Sequence, residues 1–539
     1  MAPTFCTRCG DAVEEVCDPR DELAELDALL ERLNRFHSPI APTFCNRCRD
    51  AVEEECDPRE LAQAELDASS ERLRLKRYDV KRKINRFHRS IVRKLPLDVM
   101  STIFEFCLPD FTDHQLSPYT KEDLSIPLSL GAICSFWREI AWSMPSLWSS
   151  LVVRVPSKHD SHIVTGIARE WLARSGQLPL SICILSTFYN RTVSALADIV
   201  NQYSTRWSEL DLYIPDRYYQ RFHATNNHAP ILKSVRFHCS ANAMNLNFQL
   251  TCPRLERASL SYFPMGGTNI QWDNLTHLTL HSISIIDSFL ILRKTPRLVF
   301  CKVSGSRSGY RGPSIGAPVL TSLRSLQLLS LITSFAEDFL NNLIAPHLEE
   351  FSLPRYYNPS MDVITSFFRR SACSLHSFSM TFSIFPTYFE GFINLLQSMP
   401  SLNALSITTL ENTTPEDYDP RNILQLVANI LSSQSRSLQQ GFLPNLKILE
   451  YTGELRLRPG NYADLYSLPP ADNAVHGSLH LLKLNLHPAT RIPKNMISYF
   501  SSLVERGVTV NVLSNSEDIL QSSIDYYRCS KDSCVPKLD

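Results

Sequence analysis

The segment CPRLERASL, Cys252 to Leu260, carries apolar residues at Leu255, Ala258 and Leu260, three positions apart and then two. Because successive side chains of a strand point to opposite faces, the Ala258–Leu260 spacing predicts a short strand with one buried side. The same pattern, apolar-x-x-apolar-x-apolar, starts at Trp207, Leu232, Leu255, Leu275, Leu298, Leu323, Leu348, Leu375, Leu402, Leu446 and Leu479. The first eight steps run from 20 residues (Leu255 to Leu275) to 27 (Leu348 to Leu375), and the later steps are longer. Many copies follow a proline two residues earlier, as in CPRL, TPRL, APHL, MPSL and LPNL, which fits a strand entered from a helix or loop. Recurrence at this period indicates stacked units that bury their apolar faces against one another.

The pattern resembles the leucine-rich repeat. That resemblance implies an α/β fold with an irregular solenoid over residues 160–515, irregular because the regular Asn after each strand is missing. Two long gaps, Glu411 to about Pro444 and Glu454 to about Gly477, carry acidic, Pro- and Ser-rich loops. In such an array the apolar positions face inward, and the residues between and just after them line the open side. The substrate-binding candidates are therefore Glu209, Asp211, Tyr213, Arg236, His238, Arg257, His277 and Lys302, with His281, Glu350, Glu450 and Lys483 in the same phase. Mixed charge along this line suits a protein ligand better than a uniform anion.

Upstream, LPLDVMSTIFEFCLPD (Leu95 to Asp110) opens with Pro96 at a helix start, and Met100, Ile103, Phe104 and Cys107 make an apolar stripe that Pro109 ends. In PLSLGAICSFWREIAWSMPSLWSSL (Pro127 to Leu151), Leu130, Ile133, Trp137, Ile140, Ala141 and Met144 share a helix face stopped by Pro145. These residues fit a small self-contained core as well as a docking surface. They also resemble the F-box: Leu95-Pro96, Ile103-Phe104, Cys134, Trp137-Arg138, Ile140 and Leu147-Trp148 follow that family's order and spacing. Asp98 stands where many members have Glu, and the loop after Pro109 is longer than in compact examples. The resemblance implies a helical F-box domain over 95–153 that docks the Skp adaptor and, through it, a cullin. The contacts it implies are Leu95, Pro96, Ile103, Phe104, Leu130, Ile133, Trp137, Ile140 and Trp148.

The N-terminal segment is a tandem duplication. APTFCTRCGDAVEEVCDPR from Ala2 returns as APTFCNRCRDAVEEECDPR from Ala41, so residues 1–59 hold the first copy and the start of the second. Each copy has Cys-x2-Cys-x7-Cys, at Cys6, Cys9 and Cys17 and at Cys45, Cys48 and Cys56. Paired thiolates two residues apart can grip zinc, either as Cys6, Cys9, Cys45 and Cys48 or as three Cys with His37 or His88. Duplication copies cysteines whether or not they bind anything, and we expect no metal and no cofactor. Residues 60–94 read as a basic amphipathic helix, with Arg72, Arg74, Lys76, Arg77 and Lys81-Arg82-Lys83, and its charge fits a solvated face rather than a nucleic-acid site. Residues 516–539 read as a C-terminal tail.

Composition restricts the function classes. The 539 residues carry a formal charge of −1, so no global field favours nucleic acid or an acidic membrane surface. No run approaches the roughly 18 apolar residues of a membrane span, and the start has no apolar signal region, so an intracellular protein of the cytoplasm or nucleus is expected. The 15 cysteines are too sparse for a disulfide scaffold. With only 16 glycines and no G-x-S-x-G, G-K-[ST], H-E-x-x-H or G-x-G-x-x-G, an enzyme is not expected. The expectation is a non-catalytic substrate receptor of a ubiquitin ligase, with a repeat scaffold or nucleic-acid adaptor outside a ligase as the alternative.

Overall fold

The computed structural model describes residues 4–5, 12–13, 24–29, 31, 58–87, 95–108, 126–155, 161–241, 243, 246–305, 317–329, 331, 333–353, 360–382, 389–409, 443–454, 479–487, 492, 494–514 and 517–529. The chain divides into two compact units, residues 1–119 with 128–141, and residues 120–127 with 142–539.

In the first unit, β1 (Thr4–Phe5) pairs antiparallel with β2 (Ala12–Val13). Helix α1 spans Pro58–Phe87, close to the basic helix read from the sequence. Val80 is buried on it, Leu75 and Tyr78 are exposed, and Arg77 pairs with Asp27 next to the buried Leu26. The six N-terminal cysteines, and with them the candidate zinc ligands, lie outside the described residues.

Three short helices follow: α2 (Leu97–Phe106), α3 (Ile126–Ile133) and α4 (Ser135–Ser143). Pro96 caps α2 from outside, φ −54° and ψ 148°, and its carbonyl accepts from the Met100 N–H at 3.1 Å. Its missing donor costs nothing there. Cys134 caps α4: its Sγ accepts from the Trp137 N–H at 3.4 Å and its carbonyl from the Arg138 N–H at 3.0 Å. This gives the Cys-x2-Trp-Arg spacing a local cause, since the first turn of α4 needs an acceptor at that position. Trp137 packs on the buried Phe104 with ring centroids 4.9 Å apart.

The second unit is mixed α/β, built on a 15-stranded sheet whose strands lie in chain order. Its first members are β3 (Ser150–Arg154), β4 (Leu180–Leu185), β5 (Trp207–Tyr213) and β6 (Ser234–His238). β7 (Phe248–Leu250) leaves the main sheet to pair with β9 (Thr268–Ile270), while β8 (Arg257–Ser261) and β10 (His277–His281) continue it. After β11 (Phe300–Ser304), β12 (Val319–Leu320) makes a second side pair with β14 (Leu343–Ile344), and β13 (Ser325–Leu329) and β15 (Glu350–Leu353) extend the sheet. It ends with β16 (Ser377–Phe382), β17 (Ala404–Thr409), β18 (Ile448–Glu454), β19 (Leu481–His487), β20 (Thr509–Ser514) and β21 (Glu517–Asp518). All neighbours in it are parallel except β20 and β21.

Several crossovers are helical: α5 (Ser161–Arg174), α6 (Arg191–Asn201), α7 (Ile285–Leu292), α8 (Thr333–Asn341), α9 (Met361–Ser371), α10 (Phe389–Gln397) and α11 (Lys494–Glu505), before the terminal α12 (Ile519–Cys529). Parallel strands require such connections.

The repeat motif explains this regularity. Leu232, Leu255, Leu275, Leu298, Leu323, Leu348 and Leu402 are all fully buried, and the N–H of each except Leu323 closes a turn on the carbonyl three residues back. Where Pro precedes, as in Cys252-Pro253-Arg254-Leu255 and Thr295-Pro296-Arg297-Leu298, it occupies the second position of that turn, where its fixed φ is an advantage. The next carbonyl in the chain accepts two N–H groups from the following strand: the Lys233 carbonyl from Glu256 and Arg257, the Glu256 carbonyl from Thr276 and His277. One repeat is thereby clamped to the next in fixed register.

β3 is the first strand of the sheet, and Ser150 to Val153 of it fall inside the 95–153 segment read as a helical domain. Residues 517–529, read as tail, form β21 and α12, with Ile519, Leu520 and Ser523 buried. The sequence LVVRV after Ser150 is short and continuous with the tryptophan-rich stretch, which hid the change. Among the described residues, no helix is long and apolar enough to cross a membrane.

Candidate functional site

Two surfaces carry the expected contact residues, one in each unit. In the first unit, α2 turns Met100 and Phe104 inward, while Leu97, Val99, Ile103 and Phe106 are exposed, Phe106 at 86%. On α3, Leu130 is buried and Ile133 is 59% exposed; on α4, Ile140 is buried. The candidate contacts therefore separate: Pro96, Ile103 and Ile133 are at the surface, Leu95 and Trp137 are half-buried, and Phe104, Leu130 and Ile140 support the helices from within.

Trp148 has a different place from the one expected. It is 1% exposed in the second unit, edge-on to Trp142 at 5.2 Å and to Trp171 at 4.8 Å, with the Arg174 guanidinium 5.2 Å from its ring. Trp171 Nε1 donates to the Ser150 carbonyl at 3.0 Å, so this aromatic group anchors the start of the sheet. Like Phe104, Leu130 and Ile140, Trp148 is a buried side chain that supports the fold from within.

In the second unit the strand alternation puts Glu209, Asp211, Tyr213, Arg236, His238, Arg257, His277 and Lys302 on one face, opposite buried partners such as Leu210, Leu212, Val235, Phe237, Ala258, Leu278 and Val303. The register aligns Cys183, Asp211, Arg236, Ser259, Thr279 and Lys302 in one row across six strands. A second row joins Glu209, Ser234, Arg257, His277 and Phe300.

These residues are not equally available. Arg236 Nη1 lies 3.1 Å from Asp211 Oδ2, and both side chains are about a quarter exposed or less. Burial pushes the Asp211 carboxyl up to about 6, against the opposing pull of Arg236 and a Cys183 hydrogen bond. Burial also drives the Cys183 thiol well up, so it stays protonated. Ser181 Oγ donates to Glu209 Oε2 at 3.1 Å. Arg257 and Lys302 have no ion-pair partner among the described residues.

A ladder of rings lies along the strand exits. Tyr213 stacks on His238 at 4.1 Å, His238 meets Tyr262 edge-on at 5.6 Å, Tyr262 meets His281 at 5.9 Å, and His281 Nδ1 reaches Ser304 Oγ at 3.0 Å. Burial, followed by the nearby His281, lowers His238 to about 4, and burial lowers His281. Both rings are neutral at pH 7. Tyr262 was missed by sequence reasoning because it lies one residue past β8, at φ +52°, outside the period-two pattern.

Among the described residues, no cluster of His, Cys, Asp and Glu is arranged to hold a metal ion. No protein-family model matches the sequence, and no curated protein sequence matches it. Among solved structures, a Bacteroides fragilis protein determined as a structural-genomics target is similar at a TM-score of 0.26 and 12% identity, covering 71% of this chain and 80% of that one. That score is too low to assign a fold or a function.

Proposed function

We propose that the chain is the substrate-recognition subunit of a Skp–cullin–F-box ubiquitin ligase, in which α2–α4 dock the Skp adaptor and the strand-ordered sheet, as an irregular leucine-rich-repeat solenoid, binds the protein substrate. The observation that carries this reading is the exposed apolar face of the helices bearing the Leu-Pro, Ile-Phe and Cys-x2-Trp-Arg pattern. Leu97, Val99, Ile103, Phe106 and Ile133 stay in water while Met100, Phe104 and Leu130 fill the interior. A small helical unit that needed only its own core has no use for that second face, and apolar side chains left in water mark interaction sites. The support for the repeat assignment is the parallel, chain-ordered ladder and its recurring turn.

In this reading the receptor supplies proximity and orientation and leaves the chemistry to other subunits. The site of action is cytoplasmic or nuclear, where the ligase components reside. The test is binding of purified Skp adaptor to the intact chain and to an Ile103→Asp/Ile133→Asp variant, which alters exposed positions and leaves the interior alone. The reading predicts binding by the first and none by the second.

A further inference from the structure

The open face of the sheet changes charge along its length. β5 carries Glu209 and Asp211, and β15 carries Glu350. The five strands between them, β6, β8, β10, β11 and β13, read SVRFH, RASLS, HLTLH, FCKVS and SLQLL, with three basic side chains and no carboxylate. Arg236 is taken by Asp211. Arg257 and Lys302 are left without an ion-pair partner among the described residues, and between and beside them stand Ser259, Thr279 and the exposed His277.

Register fixes how far apart the two free cations are. Arg257 aligns with His277 and Phe300, and Lys302 lies two residues beyond Phe300 on β11. With about 4.8 Å between strands and about 3.3 Å per residue, their Cα atoms are about 12 Å apart. An extended peptide covers that distance in about four residues. The ring ladder from His238 through Tyr262 to His281 borders the same strands and offers flat apolar surface beside the charges.

We propose that this stretch binds an Asp/Glu-rich peptide segment of the partner protein, with carboxylates about four positions apart on Arg257 and Lys302, the intervening chain over His277 and Thr279, and the flanking residues beside the Tyr262–His281 edge. The proposal rests on the open face being the substrate face. A peptide fits better than a nucleic acid because the basic stretch is bounded at both ends: a longer polyanion crossing the sheet meets Glu209 and Asp211 on one side and Glu350 on the other. Two free cations also give little of the counterion release on which nucleic-acid binding depends.

The experiment uses the full chain and three fluorescent probes: a 12-residue peptide repeating Glu-Ser-Asp, its Gln-Ser-Asn counterpart, and a 12-nucleotide single-stranded oligothymidylate. The acidic peptide should bind at least tenfold more tightly than the neutral one, and more weakly as salt rises. The Arg257→Glu/Lys302→Glu variant should lose at least tenfold, with a smaller loss in Arg257→Gln/Lys302→Gln. Lys447→Glu, a single charge reversal at an exposed position outside these strands, should stay within twofold of the original. Equal binding of acidic and neutral peptides, or unchanged affinity in both double variants, overturns the proposal. Oligothymidylate binding as tightly as the acidic peptide also overturns it, in favour of a nucleic-acid surface. Skp adaptor binding is measured on the same preparations: retained adaptor binding with no peptide preference refutes the peptide site alone, whereas peptide binding without adaptor binding refutes the ligase reading alone.

Discussion

Asp211 and Arg236 face each other across β5 and β6 at 3.1 Å, on the side of the sheet left open to solvent yet largely shielded from it. Two neighbouring basic residues on that side therefore differ in kind. Arg236 completes a shielded pair, and breaking such a pair strands a charge. Arg236→Glu should cost about 2 kcal/mol or more of stability by urea unfolding, and Arg257→Glu less than about 0.5 kcal/mol. Equal effects would show that the pair does not hold in solution.

The same face predicts opposing pH responses. Asp211, raised from 3.8 to about 6, binds its proton more tightly in the fold than in the unfolded chain, so its contribution to stability falls as pH rises from about 4 to 6. His238, lowered from 6.5 to about 4, gives a contribution that is lost as pH falls from 6.5 towards 4. His238→Phe keeps a ring against Tyr213 but cannot be protonated. Measured by thermal unfolding, the variant should gain on the original protein as pH drops from 6.5 to 4. Parallel curves would place His238 in water.

Backbone strain at the strand exits gives a third prediction. Gly305 follows β11 at φ +63°, and a Cβ there would lie 2.7 Å from Ser282 Oγ. Gly305→Ala should destabilise by about 1–2 kcal/mol, through the left-handed backbone and the contact together. Adding Ser282→Gly should recover part of the loss, since it removes the hydroxyl and relaxes a second positive φ, +51° at Ser282. No recovery would mean that the contact contributes nothing.

Trp148→Ala should cost about 3–5 kcal/mol, because its ring fills the Trp142–Trp171 group at the first strand. The loss should register as unfolding of the sheet by circular dichroism. A well-folded variant that merely lost adaptor binding would contradict this core role and place Trp148 on the docking surface.

Much of this fold is legible in the sequence, and the reasons are local. Period-two alternation put Leu210 and Leu212 inside and Glu209, Asp211 and Tyr213 outside, because a strand allows no other arrangement. The Pro-x-Leu entries marked real turns for the same reason. What escaped depends on register or on partners distant in sequence. Nothing in WSELDL and LKSVRF says that Asp211 meets Arg236, because the match follows from strand alignment. β12 and β14 are two residues long and have no period to detect. Trp137 and Trp148 share one aromatic stretch, but burial depends on what packs against each: Phe104 for the first, Trp142 and Trp171 for the second.

The central claim is that the exposed face of α2 and α3 docks the Skp adaptor, and titration calorimetry of the purified full chain with purified adaptor tests it most directly. The account predicts saturable one-to-one binding at or below micromolar concentration, abolished in the folded Ile103→Asp/Ile133→Asp variant and unchanged in Arg257→Glu/Lys302→Glu. A folded, monodisperse chain that releases no heat and retains no adaptor at tens of micromolar would contradict it.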